Sequence, residues 1–273
     1  MNYKWCAILA FLLCLHAAGQ ELPSSDQGGE CHAYGSSVLF GMGHTNQLDT
    51  YLSPVEYSGM QFSVLAEKTR RLNGWSRSDN AEWSFQSLFD LNLHLSKPKS
   101  ESARYLGGDL LYDAALHHNW HDVLVPCLTL YAGGQAGLTI GGIYTTRGGN
   151  NPANAHAALR LAASAGARYN LHIGRLPLSL RYQADLPLLG AAFSPNFGQS
   201  YYELWDKGGY DHNIVATYPG NGLSFRQLFT ASLHFGSMAL TLGYLGHWQQ
   251  AKMNHLRQHQ FAHSFLIGWT RKL

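Results

Sequence analysis

Apolar and polar side chains alternate with a period of two along this chain, over segments much longer than an ordinary β-strand. From Trp83 to Ser96, odd positions are apolar except Ser87, and even positions are polar except Leu88. Successive side chains of a strand point to opposite faces, so the pattern predicts a strand with one apolar and one polar face. The sequence predicts ten such strands in all; the other nine are 37–46, 60–70, 106–120, 123–139, 159–169, 178–188, 223–235, 238–249 and 261–270.

The low charge content indicates that the apolar faces contact lipid. Only 13% of the residues are charged, whereas soluble domains carry roughly 25%. No segment after the N-terminal region approaches the length of an apolar transmembrane helix, so a membrane-embedded chain of this kind must close its sheet to pair every backbone group. The fold class predicted is all-β: a transmembrane up-and-down antiparallel β-barrel of about ten strands, within a range of eight to twelve. A soluble sandwich or lipocalin-like barrel is the alternative, and it would need a more charged surface.

The first residues have the layout of a secretory signal peptide. Lys4 precedes a short apolar run at 7–15, and small residues at 17–19 suit a cleavage site. A lipoprotein is the alternative, but Leu13 before Cys14 is too large for a lipobox.

The expected organisation is therefore a signal peptide at 1–19, a flexible periplasmic segment at 20–34 and a barrel at 35–273. It predicts residence in the outer membrane of a Gram-negative bacterium. The exported chain keeps Cys31 and Cys127, and the sequence leaves their pairing open.

Charged residues lie on the polar faces and should project into the lumen. A ten-stranded barrel is narrow, so acids and bases from opposite walls can meet, and buried charges must pair. We expect a salt-bridged lumen that closes the barrel, with a polar site or narrow conduit as the alternative. The lumen set comprises Asp90, Asp109, Asp113, His117, Arg160, Arg168, Arg181, Asp185 and Arg226.

Long connections are predicted at 97–102, 148–153, 189–222 and 250–259, all at the outer end of the barrel. The third carries aromatic side chains suited to carbohydrate or protein contact; these are Tyr201, Tyr202, Trp205 and Tyr210. It also holds Asp211 and His212, near Glu203, as candidate acid–base residues of a hydrolase. Neighbouring strand residues point apart, so that pair needs a turn in the backbone. A protease would need further acids from the upper rim, for which Glu67 and Asp49 are the nearest candidates.

The residue patterns favour a non-enzymatic role: a closed structural or surface-interaction barrel. An outer-membrane lipid- or peptide-hydrolysing enzyme is the alternative, and a narrow pore comes third. We predict no cofactor and no metal. The expected partners are outer-membrane lipid and lipopolysaccharide, the barrel-insertion machinery, and an envelope protein or glycan at the outer loops. A formal net charge of only +2 disfavours nucleic acid.

Four loop strings resemble a known family: Asp49–Pro54, Gly149–Ala153, Ser200–Glu203 and Tyr210–Ile214. Together they resemble an uncharacterised Bacteroidetes family of predicted outer-membrane β-barrels, classed as a domain of unknown function. The likeness runs from about Gly35 to the end of the chain. It implies the barrel fold and the outer-membrane location, and it implies no catalytic residues.

Overall fold

The computed structural model describes residues 35–72, 81–100, 103–147, 151–174 and 176–272 of the 273-residue chain. The predicted signal peptide and the 20–34 segment, with Cys31, lie outside the described residues. Within these ranges, no helix is long and apolar enough to cross a membrane. The elements are β1 Gly35–Asp49, β2 Tyr57–Arg71, β3 Ala81–Pro98, β4 Tyr105–Trp120, β5 Leu128–Thr145, β6 Ala153–Ile173, β7 Leu176–Phe193, α1 Tyr201–Trp205, β8 Ile214–Thr217, β9 Ser224–Phe235, β10 Met238–Met253 and β11 Leu256–Lys272.

Ten of the strands form a closed antiparallel barrel, which confirms the predicted fold class. Each long strand pairs with the next along the chain, and β7 pairs with β9. The ring closes because β1 pairs with β11 over its whole length, from Gly35 opposite Lys272 to Asp49 opposite Gln258. The short strand β8 pairs only with the end of β7 in the described structure. Closure removes the free sheet edges that would otherwise need a partner.

The two ends of the barrel differ in their connections. The terminal end carries Gly35, Lys272 and the connections after β2, β4, β6 and β9; the loop end carries the other five connections. The longest connection, at 194–223, lies at the loop end and contains α1 and β8. Strand directions thus follow the prediction, although the connections after β2 and β4 at the terminal end, 72–80 and 121–127, are at least as long as those after β3 and β5.

Several predicted boundaries were wrong; β7, for example, runs to Phe193, into the loop expected from residue 189. Two others concern turns. The loop expected at 250–259 is only a turn at Asn254 and His255, both with positive φ, because β10 and β11 remain paired up to Met253 and Leu256. The strand expected from residue 123 begins at Leu128, since the preceding residues turn; Cys127 itself has a positive φ and donates its N–H to Asp122.

Side chains separate by face as the alternation predicts. Large apolar residues such as Phe40, Leu93 and Phe265 are exposed on the outside. The lumen side is mostly polar, but it holds a cluster of six buried leucines, one from each of six neighbouring strands, at 4% exposure or less. These leucines fill one side of the lumen; they are Leu39, Leu65, Leu88, Leu228, Leu245 and Leu266. A smaller apolar cluster of Tyr57, Tyr105 and Ile143 lies at the loop end.

Candidate functional site in the barrel lumen

Arg226 on β9 is the centre of an ion-pair layer that crosses the lumen. Its Nη2 atom lies 2.8 Å from Asp185 on the adjacent β7, and Nη1 forms an ion pair with Asp113 on β4. Arg160 on β6 approaches the same Asp113 carboxylate at 2.6 Å. Two guanidinium groups and two carboxylates therefore connect β4, β6, β7 and β9. Such pairing is expected, because a buried charge without a partner is destabilising.

A second connection joins strands that face each other directly across the ring. Arg181 on β7 forms an ion pair with Glu67 on β2, and its Nε donates to the Tyr131 hydroxyl at 3.0 Å. The Glu67 carboxylate also accepts from Gln86 on β3 at 3.0 Å. One carboxylate and one guanidinium therefore link four strands of the barrel: β2, β3, β5 and β7.

The structure places the other members of the expected lumen set on inward positions as well. Asp90 is buried on β3 without an ion pair among the described residues. The His117 ring lies 2.9 Å from the Ser164 hydroxyl. Arg168 lines a cavity of about 70 Å³ at the terminal end, together with Glu67 and Arg181.

Sequence reasoning missed two inward acids, Glu67 and Glu82. Glu67 had been expected at the upper rim, yet β2 runs away from the loop end, so Glu67 lies towards the terminal end. Glu82 is buried, forms an ion pair with Arg71 and lies 3.0 Å from the His121 ring. Both occupy inward positions of the period-two pattern, so strict alternation on β2 and β3 could have found them.

At the loop end, two carboxylates flank one imidazole. The His156 Nδ1 atom lies 3.4 Å from Asp109 on β4, and Nε2 lies 3.5 Å from Asp49 at the end of β1. Asp49 also accepts from Asn154 at 2.6 Å and from the backbone N–H of Tyr51 at 3.0 Å. Of these residues, Asp109 was expected in the lumen, and Asp49 was a rim candidate. His156 was missed, although Asn154 and His156 are the polar positions of an alanine-rich alternating segment.

The long loop is fixed onto this cluster by two tyrosines. The Tyr201 hydroxyl donates to the Asn154 side chain at 2.8 Å and accepts from the backbone of Ala155. The Tyr51 hydroxyl donates to the Gln199 carbonyl at 2.9 Å. Burial, with smaller effects from neighbouring Tyr201 and Asp49, raises the pKa of Tyr51 to about 12. Tyr201 thus holds the loop in place, while the other aromatics expected there are exposed.

The exposed aromatics are Tyr202, Trp205 and Tyr210, at 61%, 68% and 58% exposure. Trp205 and Tyr210 make an edge contact with centroids 6.3 Å apart, and the Lys207 ammonium lies over the Tyr202 ring. They stand on a folded platform, because Ser200 and Glu203 form a capping box at the start of α1.

Of the three candidate acid–base residues, Asp211 and His212 contact each other, whereas Glu203 has another partner. Asp211 and His212 contact at 2.7 Å because the backbone turns at His212, where φ is +57°, and both side chains are more than four-fifths exposed. The Glu203 side chain instead accepts from the backbone of Ser200. Across the described ranges, no group of three His, Cys, Asp or Glu residues could hold a metal ion. Cys127 is disulfide-bonded, and Cys31 lies outside the described residues.

The sequence matches one family model over residues 6–273, nearly its full length. The chain belongs to DUF3316, a family of proteins of unknown function. The match confirms the expected kind of family, while a Bacteroidetes origin stays a prediction. No curated protein matches the DUF3316 chain in sequence.

Three similar solved structures have low sequence identity to this chain. The transport unit of the autotransporter AIDA-I from Escherichia coli has 11% identity and a TM-score of 0.46, covering 97% of each chain. The outer membrane protease OmpT from E. coli has 7% identity and a TM-score of 0.43, covering 93% of this chain and 99% of its own. The attachment invasion locus protein Ail of Yersinia pestis has 9% identity and a TM-score of 0.31, covering 89% and 100%. None of these scores reaches 0.5, so they say nothing about what this DUF3316 chain does.

Proposed function

We propose that this protein is a closed outer-membrane β-barrel that acts through the surface of its loop end. The outer face supports a membrane location, since it exposes large apolar side chains around the ring. The ring strands are 12 to 21 residues long, more than the roughly 9–11 that a tilted strand needs to cross a bilayer. Trp120 and Trp269 lie at the terminal end and Trp248 towards the loop end, where aromatic rings meet the two lipid–water interfaces.

The ion-pair layer around Arg226 is the main observation in favour of a lumen that is closed to ions. It lies beside the six buried leucines, so charges occupy one part of the cross-section and apolar side chains another. A hydrated ion would have to break paired charges or enter an apolar space, and both are unfavourable. The barrel therefore serves as a rigid support.

Single-channel recording of the refolded protein in a planar bilayer tests closure. We expect a silent wild type and a leaky Arg160→Ala/Arg226→Ala double variant, because those changes remove both guanidinium groups that hold Asp113. Arg271→Ala, an exposed arginine at the terminal end, is the matched control and should stay silent. A steady wild-type conductance would replace this proposal with a narrow pore.

The loop supports a contact role because its aromatic side chains are exposed on a platform that is itself pinned to the barrel. Rigid aromatics lose little conformational entropy on binding, which suits them to hold a glycan or an envelope protein. We favour a glycan as the ligand, because Tyr202, Trp205 and Tyr210 offer flat apolar faces beside polar groups.

The contact role of the loop is tested by measuring the binding of polysaccharide released from lipopolysaccharide, with tryptophan fluorescence as the readout. A Tyr202→Ala/Trp205→Ala variant should lose binding and keep its heat-modifiable migration on gels, whereas Trp248→Phe on the barrel wall should bind normally. Deleting residues 199–209 should give the same loss in a folded barrel. No polysaccharide binding by wild type would refute the glycan, and a deletion that prevents insertion would make the loop structural.

A hydrolase is the second candidate, favoured by the contact between Asp211 and His212. Such a pair can activate water only when the substrate reaches it, and both side chains are open to solvent. Release of fluorescent peptide or of fatty acid from phospholipid, lost in His212→Ala, would support it. Equal rates for wild type and His212→Ala would exclude this pair.

A further inference from the structure

A cavity of about 120 Å³ lies at the loop end of the lumen, next to the cluster of Asp49, Asp109 and His156. Arg160 also borders it, so the ion-pair layer adjoins the cavity. A cavity of roughly 150 Å³ holds a ligand the size of benzene, with six heavy atoms. The space therefore suits a molecule of about five heavy atoms.

Gln47 points to a ligand in this cavity. Its side chain lines the cavity and is only 2% exposed, yet neither its Nε2 nor its Oε1 atom has a hydrogen-bond partner among the described residues. A buried polar group without a partner is destabilising. One amide offers both a donor and an acceptor, as hydroxyl groups require, and Gln249 also borders the cavity.

The charge of the lining favours a cation. Asp49 and Asp109 share one imidazole, so a protonated His156 still leaves one negative charge. The charge of Arg160 is matched by Asp113 at 2.6 Å. An ammonium group bound to Asp109 would complete the pairing, since that carboxylate accepts only from His156 in the described structure.

Strand pairing in the wall of the barrel is interrupted next to the cavity, where a ligand could enter. Pairing of β7 with β9 ends at Asp185 opposite Arg226. Beyond it, Pro187 has no N–H to donate, and the register between β6 and β7 shifts at Leu161 and Ala162. Pro187 and Ser224, on the two strands that part here, both border the cavity.

We propose that this cavity binds a small hydroxylated cation of the size of ethanolamine, with its ammonium group at Asp109 and its hydroxyl group at Gln47. This site is additional to the loop surface and lies on the loop side of the charges that close the lumen.

Saturation-transfer NMR on the full barrel in detergent micelles tests the site, with ethanolamine as the probe. Ethylene glycol and glycolate have the same two-carbon skeleton with no charge and with a negative charge. We expect affinity in the order ethanolamine, ethylene glycol, glycolate. Ethanolamine that does not bind, or glycolate that binds as well, would overturn the proposal.

Variants locate the binding. Asp109→Asn should weaken ethanolamine binding about tenfold, because it replaces a charged acceptor by a neutral one, and Gln47→Leu should weaken binding of both ethanolamine and ethylene glycol. Glu82→Gln makes the same acid-to-amide change at the terminal end and should leave the affinity unchanged. Heat-modifiable migration on gels identifies the variants that fold. If Asp109→Asn does not fold, the affinity of Gln47→Leu alone tests the location of the site. Unchanged ethanolamine affinity in the folded variants would refute the site.

Discussion

Replacing Arg226 by Met measures how much the ion-pair layer stabilises the barrel. Arg226 is 5% exposed and contacts Asp185 through Nε and Nη2, at 3.0 and 2.8 Å. Removing one member of a buried pair costs about 3–5 kcal/mol, because the other charge remains buried without a partner. In this variant Asp113 still pairs with Arg160, so Asp185 is the carboxylate that loses its ion pair. We therefore expect the lower end, a fall of about 3 kcal/mol in the free energy of unfolding.

Urea unfolding and refolding in micelles, followed by tryptophan fluorescence, gives that free energy. Arg226→Met/Asp185→Asn should recover about half of the loss, since the orphaned carboxylate becomes neutral. Arg271→Met, an exposed arginine, should change stability by less than about 0.5 kcal/mol. If Arg226→Met is as mild as the control, or the double variant no better than the single one, the layer does not stabilise the fold.

Three further predictions follow from the packing and the loop. Leu65→Ala should lower the free energy of unfolding by about 2–5 kcal/mol because it opens a hole among the lumen leucines, and the outward Leu93→Ala should cost less in the same urea titration. Tyr201→Phe should speed tryptic cleavage at Lys207, because the loop loses its hydroxyl anchor; an unchanged rate would show that the anchor is unimportant. Since the pKa of Tyr51 is raised from 10 to about 12, its protonated form is favoured in the fold, so the loop anchor should be intact below pH 10 and lost as the pH rises through 12. Ultraviolet difference absorbance should show this late titration, and its absence from Tyr51→Phe would assign it.

The strands could be predicted because alternation is a local property. Ten apolar–polar segments gave ten ring strands, and Leu88, the apolar exception on the polar face of β3, proved to be a member of the leucine cluster. The prediction of strand ends failed at the loop end of the barrel, beyond the part whose outer face is apolar. At 250–259 the outward positions become polar, so the apolar signal disappears while backbone pairing between β10 and β11 continues.

Inward-facing charges could be predicted for the same reason, but their partners could not. Pairing depends on how the strands are staggered around a closed ring, which no local window contains. Glu67 and Arg181 are 114 residues apart and meet because β2 and β7 face each other. His156 was missed because an imidazole between alanines resembles any polar inward residue until Asp49 and Asp109 are placed on either side of it.

The lumen has two separable levels, and β4 contributes a carboxylate to each. Asp109 and Asp113 lie four residues apart on β4, on the same face and roughly 13 Å apart along the strand. Asp113 holds Arg160 and Arg226 in the ion-pair layer, whereas Asp109 holds His156 beside the cavity. The levels share no carboxylate, so a ligand can occupy the cavity without breaking a charge pair that closes the lumen. Binding at the loop end is therefore compatible with a barrel that conducts nothing.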